Sequence, residues 1–206
     1  MQPDYVVVGA GSAGCAVACR LVEGGSTVAL LEAGQKYTNW RIHLPSSLIP
    51  LIKDPSVNWN YQAEPVASSA GRSISLPRGM VLGGSSSING MLYVRGNAAD
   101  YDGWAQRGCI GWSYDDVLPL FQKSETYKQG GDTTYRGGNG PLQVEDYRTI
   151  LPLTHTFVEA AQQAGFPLTP DYNGNLQEGV GYSQMTRRGR FRGSTAQTYL
   201  RAMRDL

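Results

Sequence analysis

The run Tyr5-Val6-Val7-Val8, followed at once by Gly9-Ala10-Gly11-Ser12-Ala13-Gly14, constrains this chain more than any other stretch. The short β-branched and aromatic run predicts a strand, the glycines a tight turn, and the pattern from Ser12 to about Val22 a helix. Gly9 permits the turn, Gly11 lets the backbone approach a pyrophosphate, and Gly14 lets the helix pack close against the strand. Phosphates then sit on the helix N-terminus opened by Ser12 and Ala13, held by backbone N–H groups and the helix dipole. After Glu23-Gly24-Gly25-Ser26, a second apolar run, Thr27-Val28-Ala29-Leu30-Leu31, ends on Glu32. That is the spacing at which a carboxylate meets a ribose diol. The βαβ unit therefore predicts a seat for the ADP half of a dinucleotide. Glu32 would repel a ribose phosphate and so speaks against NADP, but the motif by itself does not separate FAD from NAD.

Composition narrows the remaining classes. Eighteen Lys and Arg against seventeen Asp and Glu leave a net charge of +1 over 206 residues. Such a balance offers no global field for nucleic acid or an anionic membrane. No apolar run approaches the roughly 18 residues a spanning helix needs, and no basic stretch precedes the first apolar run as a leader would require. The expectation is a soluble, cytoplasmic chain with no transmembrane segment. Twenty-six glycines and eleven prolines predict many turns and long ordered loops. Cys15 and Cys19 fall four apart on one helix face and read as small buried side chains, and Cys109 is read the same way. With no second close Cys pair and no matching histidines, no metal site is expected.

A second stretch, Leu76-Pro77-Arg78-Gly79-Met80-Val81-Leu82-Gly83-Gly84-Ser85-Ser86-Ser87-Ile88-Asn89-Gly90-Met91-Leu92-Tyr93-Val94-Arg95-Gly96, is the most distinctive in the chain. Gly83-Gly84-Ser85-Ser86 predicts a backbone that folds close against a ligand and offers N–H donors to pyrophosphate or ring oxygens, as a nest does. Asn89 adds a side-chain amide. With the leading glycine turn and Leu31-Glu32-Ala33-Gly34, this stretch resembles the glucose–methanol–choline (GMC) family of flavin oxidoreductases. The resemblance runs on through Asn58-Trp59-Asn60-Tyr61, Asp100-Tyr101-Asp102-Gly103-Trp104, Gly111-Trp112-Ser113, Asp171-Tyr172-Asn173-Gly174 and Arg192-Gly193-Ser194-Thr195-Ala196, so it covers the whole chain.

The resemblance implies FAD as cofactor and a reaction in which hydride passes from the carbon of a small-molecule alcohol to the flavin, with the electron acceptor open. It implies contacts to FAD from Gly9, Gly11, Ser12, Ala13, Gly14, Glu32, Ala33, Val81, Gly83, Gly84, Ser85, Asn89, Gly90 and Met91. Position 80 is Met where members often carry Lys or Arg. Position 88 is Ile where some members carry a histidine that bonds the flavin, which implies noncovalent FAD. Members are far longer and place their catalytic His near the C-terminus, so the chain reads as an N-terminal portion with no catalytic residue of its own and a C-terminal half as partner. His43 and His155 match no such motif and read as structural or surface residues. A non-redox or light-driven member of the family, an NAD-binding dehydrogenase module, which the segment from Pro77 to Gly96 disfavours, and a noncatalytic flavin-binding fragment remain as alternatives.

The implied fold is α/β: a Rossmann-like FAD-binding domain with a parallel sheet, then the beginning of an α+β substrate domain with an antiparallel sheet. Residues 1–140 read as the N-terminal part of the first, 141–192 as the start of the second, and 193–206 as a helix returning to the first, with Leu200, Met203 and Leu206 on one face. The composition break Gly137-Gly138-Asn139-Gly140-Pro141 marks the boundary. Between Gln35 and Ser75 a long loop-rich insertion is expected. Helices are predicted over Ser46–Leu51, Tyr101–Gln106, Tyr114–Ser124 and Leu153–Ala164, and strands over Leu142–Val144 and Val180–Arg188. The late arginines Arg187, Arg188, Arg190, Arg192, Arg201 and Arg204 read as solvated or ion-paired rather than as a nucleic-acid patch. Trp59, Tyr61, Tyr93, Trp104 and Trp112 fit either core packing or a substrate channel.

Overall fold

A computed structural model describes residues 2–205. The chain opens with strand β1 (Tyr5–Val8), helix α1 (Ser12–Glu23) and strand β2 (Val28–Leu31), followed by a short helix α2 (Leu48–Ile52) and the two-residue strands β3 (Tyr61–Gln62) and β4 (Ser75–Leu76). Helices α3 (Ala98–Gln106) and α4 (Tyr114–Ser124), strands β5 (Glu125–Tyr127) and β6 (Leu142–Asp146), helix α5 (Pro152–Gln163) and strands β7 (Gln184–Arg188) and β8 (Phe191–Arg192) complete the list. Two compact units emerge. One comprises residues up to Met91 together with those from Arg187 onward, and the other spans Leu92–Thr186.

In the first unit β1 and β2 pair in parallel, from Tyr5 opposite Val28 to Val8 opposite Leu31, with α1 as the crossover. A parallel pair needs such a crossover, and the apolar run, glycine turn and amphipathic helix supply it in order. Two cores form. Ile42, Leu51, Val57, Val81 and Ile88 make one, with Tyr37 against it. Ala10, Cys15, Cys19 and Tyr199 make the other, with Leu30, Leu82 and Leu200 beside them. The insertion between Gln35 and Ser75 is therefore not structureless. It folds around Ile42, Leu51 and Val57 through 3-10 turns, α2 and the β3–β4 pair. The last segment winds as a π-helical turn over Ala196–Leu200 and a 3-10 turn over Ala202–Asp205, not as one regular helix. There the Arg201 N–H reaches five residues back to the Ala196 carbonyl (3.1 Å). Leu206 lies outside the described residues.

In the second unit β5 pairs with β6 in parallel and β6 with β7 antiparallel. Helix α4 is capped by Ser113, whose Oγ accepts the Asp116 N–H while Asp116 reaches back to the Ser113 N–H. The Gly137–Pro141 stretch lies inside this unit, where the Gly137 and Gly140 N–H groups close onto Glu125. Strand β7 begins at Gln184, later than its predicted start at Val180. Val180 instead pairs with the 167–169 segment, donating to the Pro167 carbonyl (2.9 Å) and accepting from the Thr169 N–H (2.8 Å).

The buried heart of this unit is ionic. Glu125, fully buried, takes Arg95 Nη2 at 2.7 Å and Arg136 Nε at 3.1 Å. Arg136 also reaches Asp171 (3.2 Å) and lies over the Tyr127 ring at 3.8 Å. Cys15 and Cys19 are buried free thiols as expected, but Cys109 is exposed, set in the turn after α3 rather than in a core. No helix among the described residues is long and apolar enough to cross a membrane.

Candidate functional site

Strand β1 ends where Gly9 turns away with φ at 93°, a region that glycine enters without steric cost. A Cβ on Gly14 would fall inside the Gly9 carbonyl, so α1 approaches the turn as only glycine allows. Gly11 caps α1 with no side chain, and its carbonyl takes the Cys15 N–H (3.0 Å). The amides of Ser12, Ala13 and Gly14 have no acceptor among the described residues. Three such N–H groups at the positive end of a helix form an anion seat. Beside them the half-buried Glu32 accepts the Ala10 N–H on Oε2 (2.8 Å) and the Gly34 N–H on Oε1 (2.9 Å). The carboxylate is thus fixed at the end of β2 with lone pairs to spare.

The second glycine segment closes onto the first. Gly83, at φ 90°, donates its N–H to the Ala10 carbonyl (2.7 Å), and the Leu82 N–H reaches the Gln35 carbonyl (3.1 Å). A Cβ on Gly84 would come within 2.7 Å of Gly11 Cα, while Gly79 has no room for one against Gly84, nor Gly34 against the Met80 carbonyl. Gly9 to Gly14, Glu32 to Gly34 and Gly79 to Ser85 are in this way one assembly of close backbone contacts.

Its amides are not all free. Those of Gly83, Gly84 and Ser86 bond to the Ala10, Val81 and Gly83 carbonyls, so of the four amides the sequence reading offers to a pyrophosphate, the Ser85 N–H alone lacks an acceptor among the described residues. The serines also turn inward. Ser85 Oγ accepts the Gly79 N–H, Ser86 Oγ donates to the Gly83 carbonyl, and Ser87 Oγ donates to the Leu82 carbonyl. Val81 and Met91 are buried and present no open surface, whereas Ala33 and Asn89 are exposed and Gly90 is half-buried.

Sequence reasoning passed over two residues of this assembly. The Thr195 N–H donates to Ser86 Oγ (3.0 Å). Arg192, read as solvated or paired, is instead fully buried, with Nε on the Ile42 carbonyl (3.0 Å) and Nη1 on the Asn89 carbonyl (2.5 Å). The available signal was its place next to the small run Gly193-Ser194-Thr195-Ala196, which packs rather than exposes its neighbours.

Comparison with known proteins decides the family. The sequence pattern of the GMC oxidoreductases matches residues 3–205. The chain belongs to the GMC oxidoreductase family. An oxygen-dependent choline dehydrogenase from Brucella suis biovar 1 is 47% identical over 202 residues, covering 98% of this chain and 37% of that protein. The corresponding enzyme from Photobacterium profundum is 47% identical over 96% of the chain and 35% of its own length. Among solved structures, pyridoxine 4-oxidase from Mesorbium loti superimposes with a TM-score of 0.91 at 35% identity, over 97% of this chain and 39% of that one. An FAD-dependent oxidoreductase from Chaetomium thermophilum gives 0.89 at 27% identity, over 99% and 37%. The chain thus spans little more than a third of the length of these relatives.

GMC oxidoreductases are flavoproteins that use FAD, and the open α1 amides, the placed Glu32 and the bare glycine contacts fit the ADP half of that group. At position 88 the isoleucine is buried in the first core and brings no nucleophilic atom. Neither histidine lies among the glycine loops. His43 Nε2 meets the Tyr37 carbonyl (3.1 Å), and the exposed His155 pairs through Nδ1 with the Tyr182 hydroxyl (2.7 Å). The thiols are quiet. Burial raises the Cys15 thiol, which donates to the Ala10 carbonyl, and pushes Cys19 up to about 11, so neither is a nucleophile near neutrality. Trp59 and Tyr61 stack on one another in the first unit, and Trp104 meets Trp112 edge-on in the second, both pairs partly exposed.

Proposed function

We propose that this chain supplies the ADP-binding part of a noncovalent FAD site in an enzyme that oxidises a small alcohol to the aldehyde or ketone. The observation that carries the reading is the set of free α1 amides at Ser12, Ala13 and Gly14, flanked by Glu32 and sealed by the glycine contacts between Gly11 and Gly84. In this reading those amides bind the pyrophosphate, Glu32 orients the adenosine ribose through its hydroxyls, and the segment from Val81 to Met91 runs along the flavin. Held by these residues, FAD would supply the acceptor for the hydride that leaves the alcohol carbon. Asn89 orients the ring by its exposed amide, and Ile88 excludes water from behind the loop. The hydroxyl proton is taken by a base that none of His43, His155 or the glycine segments provides.

Choline is the first substrate to test, because the curated relatives are choline dehydrogenases, and pyridoxine the second, after the pyridoxine oxidase. The full-length protein is expected to purify yellow. Acid precipitation should release the flavin into the supernatant, and one of these alcohols should bleach it in the absence of oxygen. Retention of flavin on the precipitate would overturn noncovalent binding, and a flavin that no alcohol reduces would overturn alcohol oxidation.

A further inference from the structure

Arg192 is 1% exposed, and the network around it contains no carboxylate among the described residues. Its Nε donates to the Ile42 carbonyl at 3.0 Å, and its Nη1 donates to the Asn89 carbonyl at 2.5 Å and to Asn89 Oδ1 at 2.9 Å, with the Ser86 carbonyl at 3.5 Å. Nη2 has no hydrogen-bond partner among the described residues. Burying a guanidinium against carbonyl dipoles alone leaves its lost hydration without a countercharge, so this charge is retained at an energetic expense.

What it does is legible at Asn89. The side-chain atom that meets Arg192 Nη1 also meets the Met91 N–H, at 3.0 Å. Both neighbours are obligate donors, so that atom is the oxygen and the other is the NH2. Asn89 Nδ2 has no acceptor among the described residues, and the side chain is exposed. Asn89 can therefore only donate to whatever lies against it.

We infer that Arg192 is a positioning residue: it locks Asn89 with its NH2 outward, as a donor to an acceptor atom of the flavin ring, and places an unneutralised positive charge behind that amide. The inference rests on the proposed function only in taking the flavin to lie along this loop. A carbonyl oxygen or an unprotonated ring nitrogen is the chemistry that Asn89 recognises, and a ring N–H is excluded. The charge polarises the amide, and the strengthened Asn89 donor favours a reduced flavin, which carries more negative charge than the oxidised one.

The test is a spectroelectrochemical titration of the full-length, flavin-loaded protein with Arg192→Met, Arg192→Lys, Asn89→Ala and the double variant Arg192→Met/Asn89→Ala. Arg192→Met and Asn89→Ala should each make the midpoint potential more negative, by a shift on the order of tenfold in the two-electron equilibrium, about 30 mV. The double variant should shift no further than the larger single change, because the two residues act in series. Arg192→Lys should keep most of the wild-type potential. Unshifted potentials, or fully additive shifts, would overturn the inference. If Arg192→Met does not fold, Asn89→Ala decides alone, since its exposed side chain carries no core, and an unchanged potential there refutes the role. A wild-type protein that binds no flavin would defeat the functional reading, whereas flavin binding with unmoved variants would defeat this inference alone.

Discussion

Glu32 takes part in both the fold and the candidate site, which makes it the sharpest single residue to change. Its two oxygens accept the Ala10 and Gly34 amides, so Glu32→Gln turns one acceptor into an NH2 that faces an N–H. We expect a loss of about 1–3 kcal/mol in urea unfolding, the cost of one unsatisfied donor. A parallel loss of FAD affinity of tenfold or more should appear in equilibrium dialysis of the full-length protein. Equal affinity would remove Glu32 from the cofactor site. Glu32 was legible from spacing alone, because a βαβ unit fixes where the second strand ends. Arg192 was not, because its acceptors at Ile42, Ser86 and Asn89 come from distant parts of the chain and only the folded backbone brings them together.

Two glycines in helices separate packing from propensity at the level of the element. Gly14 in α1 has no space for a Cβ beside the Gly9 carbonyl, whereas Gly103 in α3 has nothing within 4 Å of where one would go. Gly103→Ala should therefore stabilise the protein by about 0.5–1 kcal/mol through helix propensity. Gly14→Ala should destabilise it by about 1–3 kcal/mol or more by overpacking. Thermal melts of the two variants check this, and shifts of the same sign would contradict it. The same contrast explains which elements the sequence revealed. The strand-turn-helix at the start and helix α4 are written in local signals, a glycine turn and a Ser113 cap. Strands β3 and β4 have two residues each, too few for any periodicity, and the start of β7 is set by Val180 pairing with the 167–169 segment instead.

For the whole molecule, the second unit is organised around a buried charge. Glu125 faces Arg95 and Arg136, and removing it leaves two buried guanidinium groups without that carboxylate, Arg136 keeping its contact to the partly exposed Asp171. Glu125→Gln should cost about 3–5 kcal/mol, as other broken buried pairs do, measured as a lowered urea midpoint, and a loss below 1 kcal/mol would mean the cluster is solvated. Alkaline pH acts on the same centre. Burial, ahead of its charged neighbours, pushes the Tyr93 hydroxyl up from 10.0 to about 12. A raised acid holds its proton more tightly in the folded state, so this contribution is complete below pH 10 and is lost as pH climbs towards 12.

We propose that the free amides at the start of α1 and the carboxylate of Glu32 hold the ADP half of FAD. A crystal structure of the full-length protein with FAD bound tests it most directly. Pyrophosphate oxygens should lie within hydrogen-bond distance of the Ser12, Ala13 or Gly14 amides, and the adenosine ribose hydroxyls on Glu32. A pyrophosphate seated elsewhere, with those amides facing only water, would contradict it.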